Sequence, residues 1–335
     1  MNLEQLPPEV QMMKFILGKW ISKPIYTAAT LKIADVLAEG SMSVDELAKN
    51  THTHTESLYR LLRSLASVGI FCETKTHLFE NTPLSECLRE KKLRNTILMF
   101  HSPWHNAIWD NLLYSIKTGK PAFEKAHGAP SFEWFRNHPK EAKIFQQAND
   151  FKARQTHRKI LEVYDFADIN MLTDLGGGTG GLMVEILQAN DHLQGCVTEL
   201  PYAIPLIEEN IVKNNLKKRL KAIARDFFQE VPPKSDAYLL SNILHDWPDE
   251  ACVRILTNCR RVMTSNTKTI IIEGIVPPEN DFSIVKQLDL EVLLMGGGRE
   301  RTIEEFEYLL KNSGLRLSNR IDTKDHISVI EGRPR

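Results

Sequence analysis

Between residues 171 and 199 the chain prescribes a folding unit of its own. Met171-Leu-Thr-Asp-Leu175 is a short apolar run. Five glycines follow at 176, 177, 178, 180 and 181, and then Met183, Ile186 and Leu187 recur at helical spacing. An apolar strand that enters a glycine loop and leaves as a helix needs backbone that turns sharply or meets a ligand closely, which is what glycine permits. Gly195–Glu199 reads as a second strand, closing on a carboxylate able to take both hydroxyls of a ribose. Such a unit cannot bury its own apolar faces, so it demands more strands and helices of the same kind. The C-terminal half supplies them. Candidate strands at 219–224, 236–240, 269–274, 314–322 and 326–331 alternate with candidate helices at 180–189, 202–213, 249–263, 284–295 and 302–313, the last stopped by Gly314. The fold class this implies is α/β: a doubly wound, mostly parallel Rossmann-like sheet with ligands at the carboxyl ends of its strands.

Two ligand classes fit the loop. Gly176-x-Gly178-x-x-Gly181 satisfies the dinucleotide fingerprint, with an acid about 20 residues further on. Asp174, two residues before the first glycine, tilts the choice. A carboxylate there would repel a pyrophosphate and suits a cationic ligand with an amino group, such as S-adenosylmethionine.

Composition narrows the rest. At 335 residues there is room for two compact domains, and 42% apolar with 25% charged residues is ordinary for a globular chain. A formal net charge of −1 gives no sign of a nucleic-acid or membrane surface. The five cysteines are scattered without a Cys-x-x-Cys pair, which favours reduced thiols and a cytoplasmic location over a disulfide frame or a zinc site. The N-terminal residues have neither the basic flank nor the apolar run of a signal peptide.

Residues 1–95 read as helices followed by a small hairpin. Helical apolar spacing covers 10–38, with Pro24 marking a break or a helix start. Ser43, three residues before Glu46, opens a helix with a capping box, and Leu58, Leu61, Leu62, Leu65 and Val68 line another that ends at Gly69. Ile70–Phe79 is the hairpin. That order is the order of a winged helix. Its charges nearly cancel, so dimerisation is the better reading and DNA binding the poorer one. Residues 96–165 form a helical segment with many aromatics, Phe100, Trp104, Trp109, Phe123, Trp134, Phe135 and Phe145 among them, which could wall an apolar substrate. His101 and His105 have metal-ligand spacing on an expected helix, without an acid partner nearby. Residues 166–335 are the ligand-binding domain.

Three further stretches carry chemistry. Asp226-Phe227-Phe228 follows the third strand, where an acid and an aromatic ring can meet an adenine. Leu239–Ser241 exits towards His245-Asp246-Trp247, placing an imidazole at the carboxyl edge of the sheet. An unperturbed histidine titrates near ~6.5 and can take a proton from a hydroxyl. Glu273 ends the next strand, and Glu300 lies in Gly296-Gly-Gly-Arg-Glu-Arg-Thr302; either carboxylate could fix the tautomer of that imidazole.

Taken in order, the glycine loop, Glu199-Leu200-Pro201, Asp226-Phe227-Phe228, Leu244-His245-Asp246-Trp247, Ile272-Glu273 and Gly297-Gly298-Arg299-Glu300-Arg301-Thr302 resemble the small-molecule O-methyltransferases, the family of plant caffeate and isoflavone enzymes, acetylserotonin methyltransferase and bacterial polyketide-tailoring enzymes. The resemblance spans nearly the whole chain, including an N-terminal winged-helix dimerisation domain. It implies a homodimeric enzyme that uses S-adenosylmethionine on a small aromatic hydroxylated substrate. No metal is expected, since a phenol near pKa ~10 is within reach of a positioned imidazole, and the small net charge predicts no nucleic-acid or membrane partner. It implies His245 as general base flanked by Glu273 and Glu300. Asp174, Gly176, Gly178, Glu199, Leu200, Asp226, Phe227 and Ser241 would meet the cofactor, and Met99, Phe100, Trp104, Asp246 and Met295 are candidates for substrate contact. One departure is visible: plant members carry a lysine four residues before the histidine, and Ser241 stands there in this chain. Carbon or nitrogen methylation, a winged-helix regulator that binds S-adenosylmethionine, and a nicotinamide oxidoreductase are the rival expectations.

Overall fold

The computed structural model describes residues 6–90, 92–323 and 325–335. The reading of the N-terminus falls largely on residues 1–5, outside that range. By compactness the chain divides into two units. The first is Met1–Ala107 with Glu133–Phe151, the second Ile108–Phe132 with Lys152–Arg335, so the helical segment 96–165 is shared between them.

The first unit holds helices Pro8–Ile16, Lys19–Thr30, Ile33–Val36, Val44–Thr51 and Thr55–Ala66 and a small antiparallel sheet. Its strands are β1 (Met42–Ser43), β2 (Phe71–Lys75) and β3 (Leu78–Asn81), in the order β1-β3-β2. The expected hairpin is β2–β3; the two-residue β1 was too short to show an alternation. The Ser43–Glu46 capping box forms with both reciprocal bonds, and Gly69 takes the left-handed φ of 79° that lets the chain leave the Thr55–Ala66 helix. Pro24 neither breaks nor starts a helix. It lies within Lys19–Thr30, where tertiary packing through Ala28 and Ala29 outweighs one missing backbone donor. Leu47, Leu58, Leu62, Leu65, Phe71 and Phe79 are buried together as this unit's core. His101 and His105 do not share a helix. One ends at Phe100 and the next starts at Pro103, capped by the Ser102 hydroxyl accepting the His105 N–H at 3.2 Å.

The second unit holds seven strands: β4 (Met171–Leu175), β5 (Gln194–Glu199), β6 (Leu220–Ala224), β7 (Ala237–Ser241), β8 (Lys268–Gly274), β9 (Leu315–Asp322) and β10 (Ile327–Pro334). Each matches an expected strand to within a few residues. Their order is β6-β5-β4-β7-β8-β10-β9. The first five are parallel, and β10 lies antiparallel between β8 and β9. Period-2 alternation sends Leu239, Ile270 and Ile272 to one face and Tyr238, Leu240 and Ile271 to the other, so each face builds its own buried cluster under its own helices. Each large apolar side chain so buried contributes about 1.5–3 kcal/mol before entropy is counted. The chain reverses its winding direction between β4 and β7, and in open α/β sheets ligands bind at the carboxyl ends of the strands beside such a switch point. Among the described residues no helix is long and apolar enough to cross a membrane.

Candidate active site

Sheet order brings the sequence-distant motifs to one edge. Reading across it, Asp226 follows β6, Glu199 ends β5, Gly176 follows β4, Ser241 ends β7 and Glu273 is the penultimate residue of β8.

The glycine loop is pinned to the neighbouring strand, the Gly176 N–H donating to the Thr198 carbonyl at 2.9 Å. Gly176 has φ 71°, and a Cβ there would lie 2.7 Å from Ile243 Cδ1 and 3.1 Å from the Phe227 ring. Only glycine fits both the dihedral and the space. Gly178 is also left-handed, at φ 57°, but a Cβ there meets nothing, so its surroundings are open to a ligand.

Beneath the loop Asp174 is buried, and its Oδ1 makes no hydrogen bond. Burial, reinforced by Glu199, pushes its pKa up to about 7. Burial also raises Glu199, which is half-buried. Leu200 beside it is exposed. Asp174 with its unpaired Oδ1 and the half-buried Glu199, around an open glycine loop, fit a ligand with a cationic centre and ribose hydroxyls, and they do not fit a pyrophosphate. Asp226 receives the Phe228 N–H at 2.9 Å and the Gln229 amide at 3.0 Å, which leaves lone pairs for a ligand. Phe227 is half-buried, and Asn258 holds its turn by donating to the carbonyls of Phe227 and Phe228 at 2.9 and 3.0 Å.

The chain leaves β7 through Asn242, whose left-handed φ of 52° starts a short turn over Leu244–Asp246. Glu273, fully buried, anchors that turn. Its Oε1 accepts the N–H groups of Ile243, Leu244 and His245 at 3.0, 2.8 and 3.4 Å. His245 then sits among three carboxylates. Nδ1 is 2.8 Å from Glu300 Oε1 and 3.7 Å from Glu273 Oε2, and Nε2 is 3.6 Å from Asp246 Oδ1. A carboxylate oxygen can only accept, so Nδ1 carries the hydrogen and the neutral ring presents its Nε2 lone pair. Burial alone would lower the pKa of His245. Glu273, the Glu300 hydrogen bond and Asp246 outweigh it and lift the ring to about 10. The cluster therefore favours an imidazolium, which makes the neutral ring a strong base. Burial raises Glu273 to about 7 against the pull of that imidazolium. Donor atoms of His245, Glu273 and Glu300 lie within 4.8 Å of one another, so the trio has the composition to hold a cation; an ion using Nδ1 would displace the hydrogen bond to Glu300.

Of the other expected residues, Ser241 is half-buried at the end of β7, beside Ile272 in register. Asp246 and the half-buried Met295 belong to the second unit with His245. Met99, Phe100 and Trp104 belong to the first, where Trp104 packs edge-on against Phe135. Sequence reading missed Ile243 under the glycine loop, Asn258, and Asp289, whose Oδ1 accepts the Glu300 N–H at 2.7 Å. An acid flanked by leucines in the apolar helix Ile284–Gly296 was the one available signal for Asp289.

Comparison with known proteins gives the same frame. The family model described as an O-methyltransferase domain matches residues 109–316, and the O-methyltransferase dimerisation domain matches 13–91. Phenazine O-methyltransferase PhzM of Lysobacter antibioticus is 33% identical, over 96% of this chain and 95% of its own length. Phenazine-1-carboxylate N-methyltransferase of Pseudomonas aeruginosa is 28% identical over 96% of each. Among solved structures, LaPhzM superposes with a TM-score of 0.90 at 33% identity, covering 98% of this chain and all of that one. NcsB1 of neocarzinostatin biosynthesis, solved with S-adenosylmethionine and 2-hydroxy-5-methyl naphthoic acid, gives 0.79 at 27% identity, covering 94% and 96%. With the strand order, the glycine loop over Asp174 and both domain matches in agreement, this chain belongs to the O-methyltransferase family, as an enzyme that uses S-adenosylmethionine as methyl donor.

Proposed function

We propose that this enzyme methylates a hydroxyl of a small aromatic molecule, with His245 Nε2 accepting the hydroxyl proton. Gly176, Gly178, Asp174, Glu199 with Leu200, Asp226, Phe227 and Ser241 would hold S-adenosylmethionine, which supplies an electrophilic methyl group when bound. Asp246 and Met295 are the second unit's candidates for contact with the substrate. The enzyme works as a cytoplasmic homodimer in this reading, supported for the dimer by the dimerisation domain over 13–91.

The carrying observation is the hydrogen bond from His245 Nδ1 to Glu300, with Glu273 beneath the turn. It fixes the tautomer and stabilises the charge that proton transfer creates. A phenol near pKa ~10 is matched to a base of that strength. Relatives support the substrate class, since PhzM carries phenazine O-methylation in its name and NcsB1 was solved with a naphthoic acid. No metal is assigned, because a positioned imidazole of this basicity suffices for a phenol.

His245→Ala should lower turnover on phenols by ~100-fold or more while S-adenosylhomocysteine still binds. Undiminished turnover would remove the general-base role. Methylation confined to ring nitrogens would move the enzyme to the chemistry named for the Pseudomonas relative.

A further inference from the structure

The segment Gly298–Arg301 does more around His245 than supply Glu300. Gly298 is so close that a Cβ there would lie 2.0 Å from the His245 carbonyl oxygen, and the Arg299 N–H donates to that same oxygen at 2.9 Å. Then comes Arg301, the largest fully buried side chain among the described residues. Its Nη1 donates to the Leu244 carbonyl at 2.8 Å and its Nη2 to the Trp247 carbonyl at 2.7 Å. Nε and Nη2 also meet Asp249 Oδ1 at 3.0 and 2.8 Å. The two carbonyls bracket the turn that carries His245 and Asp246, a turn with no side-chain cap of its own.

Burying a guanidinium is expensive, and an apolar side chain of similar volume often stabilises a fold as well. What an apolar side chain cannot provide is a rigid planar fork whose donors fix two acceptors relative to each other. Cys252 Sγ reaches the same two carbonyls at 3.2 and 3.4 Å, but a thiol is a weak, freely rotating donor. We infer that Arg301 is a positioning residue for methyl transfer: it clamps the turn through the carbonyls on both sides of His245, so that Nε2 is aimed while the adjacent Glu300 holds Nδ1. The inference rests on His245 as proton acceptor, yet it can be tested apart from that role.

The test compares Arg301→Lys, Arg301→Met and Asp249→Asn with the full-length enzyme. Calorimetry measures S-adenosylhomocysteine affinity, steady-state kinetics give kcat and KM, and NMR of histidine labelled at Cε1 follows the His245 ring, assigned with His245→Asn. A lysine keeps the charge but cannot span both carbonyls. Arg301→Lys should lower kcat by about tenfold or more through misaim, with S-adenosylhomocysteine affinity unchanged within about threefold. Its His245 ring should titrate lower by about half a unit or more, because the contact with Glu300 loosens while Glu273 and Asp246 remain. Asp249→Asn, which frees one side of the fork, should shift both readouts the same way but less. Arg301→Met serves if it folds; if it does not, the lysine and asparagine variants decide. A wild-type kcat and His245 titration in Arg301→Lys would overturn the inference, as would a loss of kcat matched by an equal loss of S-adenosylhomocysteine affinity. Retained turnover in His245→Ala would instead sink the base assignment, leaving the titration shift in the arginine variants to stand by itself.

Discussion

Glu300→Gln isolates the electrostatics of the site. The substitution keeps the size of the side chain and removes one charge from a contact only 2.8 Å from His245 Nδ1. A hydrogen bond to a charged partner is worth about 1.5–3 kcal/mol net, and one pKa unit corresponds to about 1.4 kcal/mol. The ring should therefore lose about 1–2 units of its elevation, since Glu273 at 3.7 Å and Asp246 at 3.6 Å still support the imidazolium. In the parent enzyme, kcat/KM should climb with pH as neutral imidazole appears on the way to about 10. In Glu300→Gln that limb moves to lower pH, and the alkaline plateau drops by about tenfold or more, because the base is weaker and an amide can also donate to Nδ1 and enforce the wrong tautomer. The same raised pKa has a stability signature. Its contribution is fully present below the unfolded value near 6.5 and is lost as pH rises through about 10, so the gap in Tm between parent and variant should narrow over that window. A kcat/KM limb that stays in place, or that moves to higher pH, would refute the account of the charge cluster.

Asp174→Asn tests the buried acid under the glycine loop. Its raised pKa means that folding takes up a proton, so its favourable contribution is present below about 3.8 and lost as pH rises through about 7. Thermal denaturation should show Asp174→Asn gaining Tm over the parent at pH 8 but not at pH 4, while calorimetry shows weaker S-adenosylmethionine binding. Gly176→Ala sets a Cβ at 2.7 Å from Ile243 at a left-handed φ of 71°; it should weaken S-adenosylhomocysteine binding by about tenfold or more with the winged-helix unit unaffected. Dialysis against a chelator should leave turnover on phenols unchanged, and a loss restored by one divalent ion would assign a metal to the His245–Glu273–Glu300 trio.

The local sequence by itself determined the elements and the chemistry each could carry. The apolar run of β4, its glycines and the alternating strands and helices after it are short-range patterns, set by side-chain periodicity and backbone freedom, and the structure reproduces their bounds closely. Pro24 and the His101–His105 pair show where such patterns fail, because packing decides whether a helix continues through a proline or stops before one. Only the tertiary structure decided that Asp226, Glu199, Gly176, His245 and Glu273, spread over about 100 residues, stand along one sheet edge, since that follows from strand order and not from spacing. Nor could spacing reveal that Arg301 reaches back across more than fifty residues to the carbonyls beside His245. Backbone carbonyls have no sequence signature, and which of them a buried guanidinium must satisfy is fixed only when the chain has closed around it.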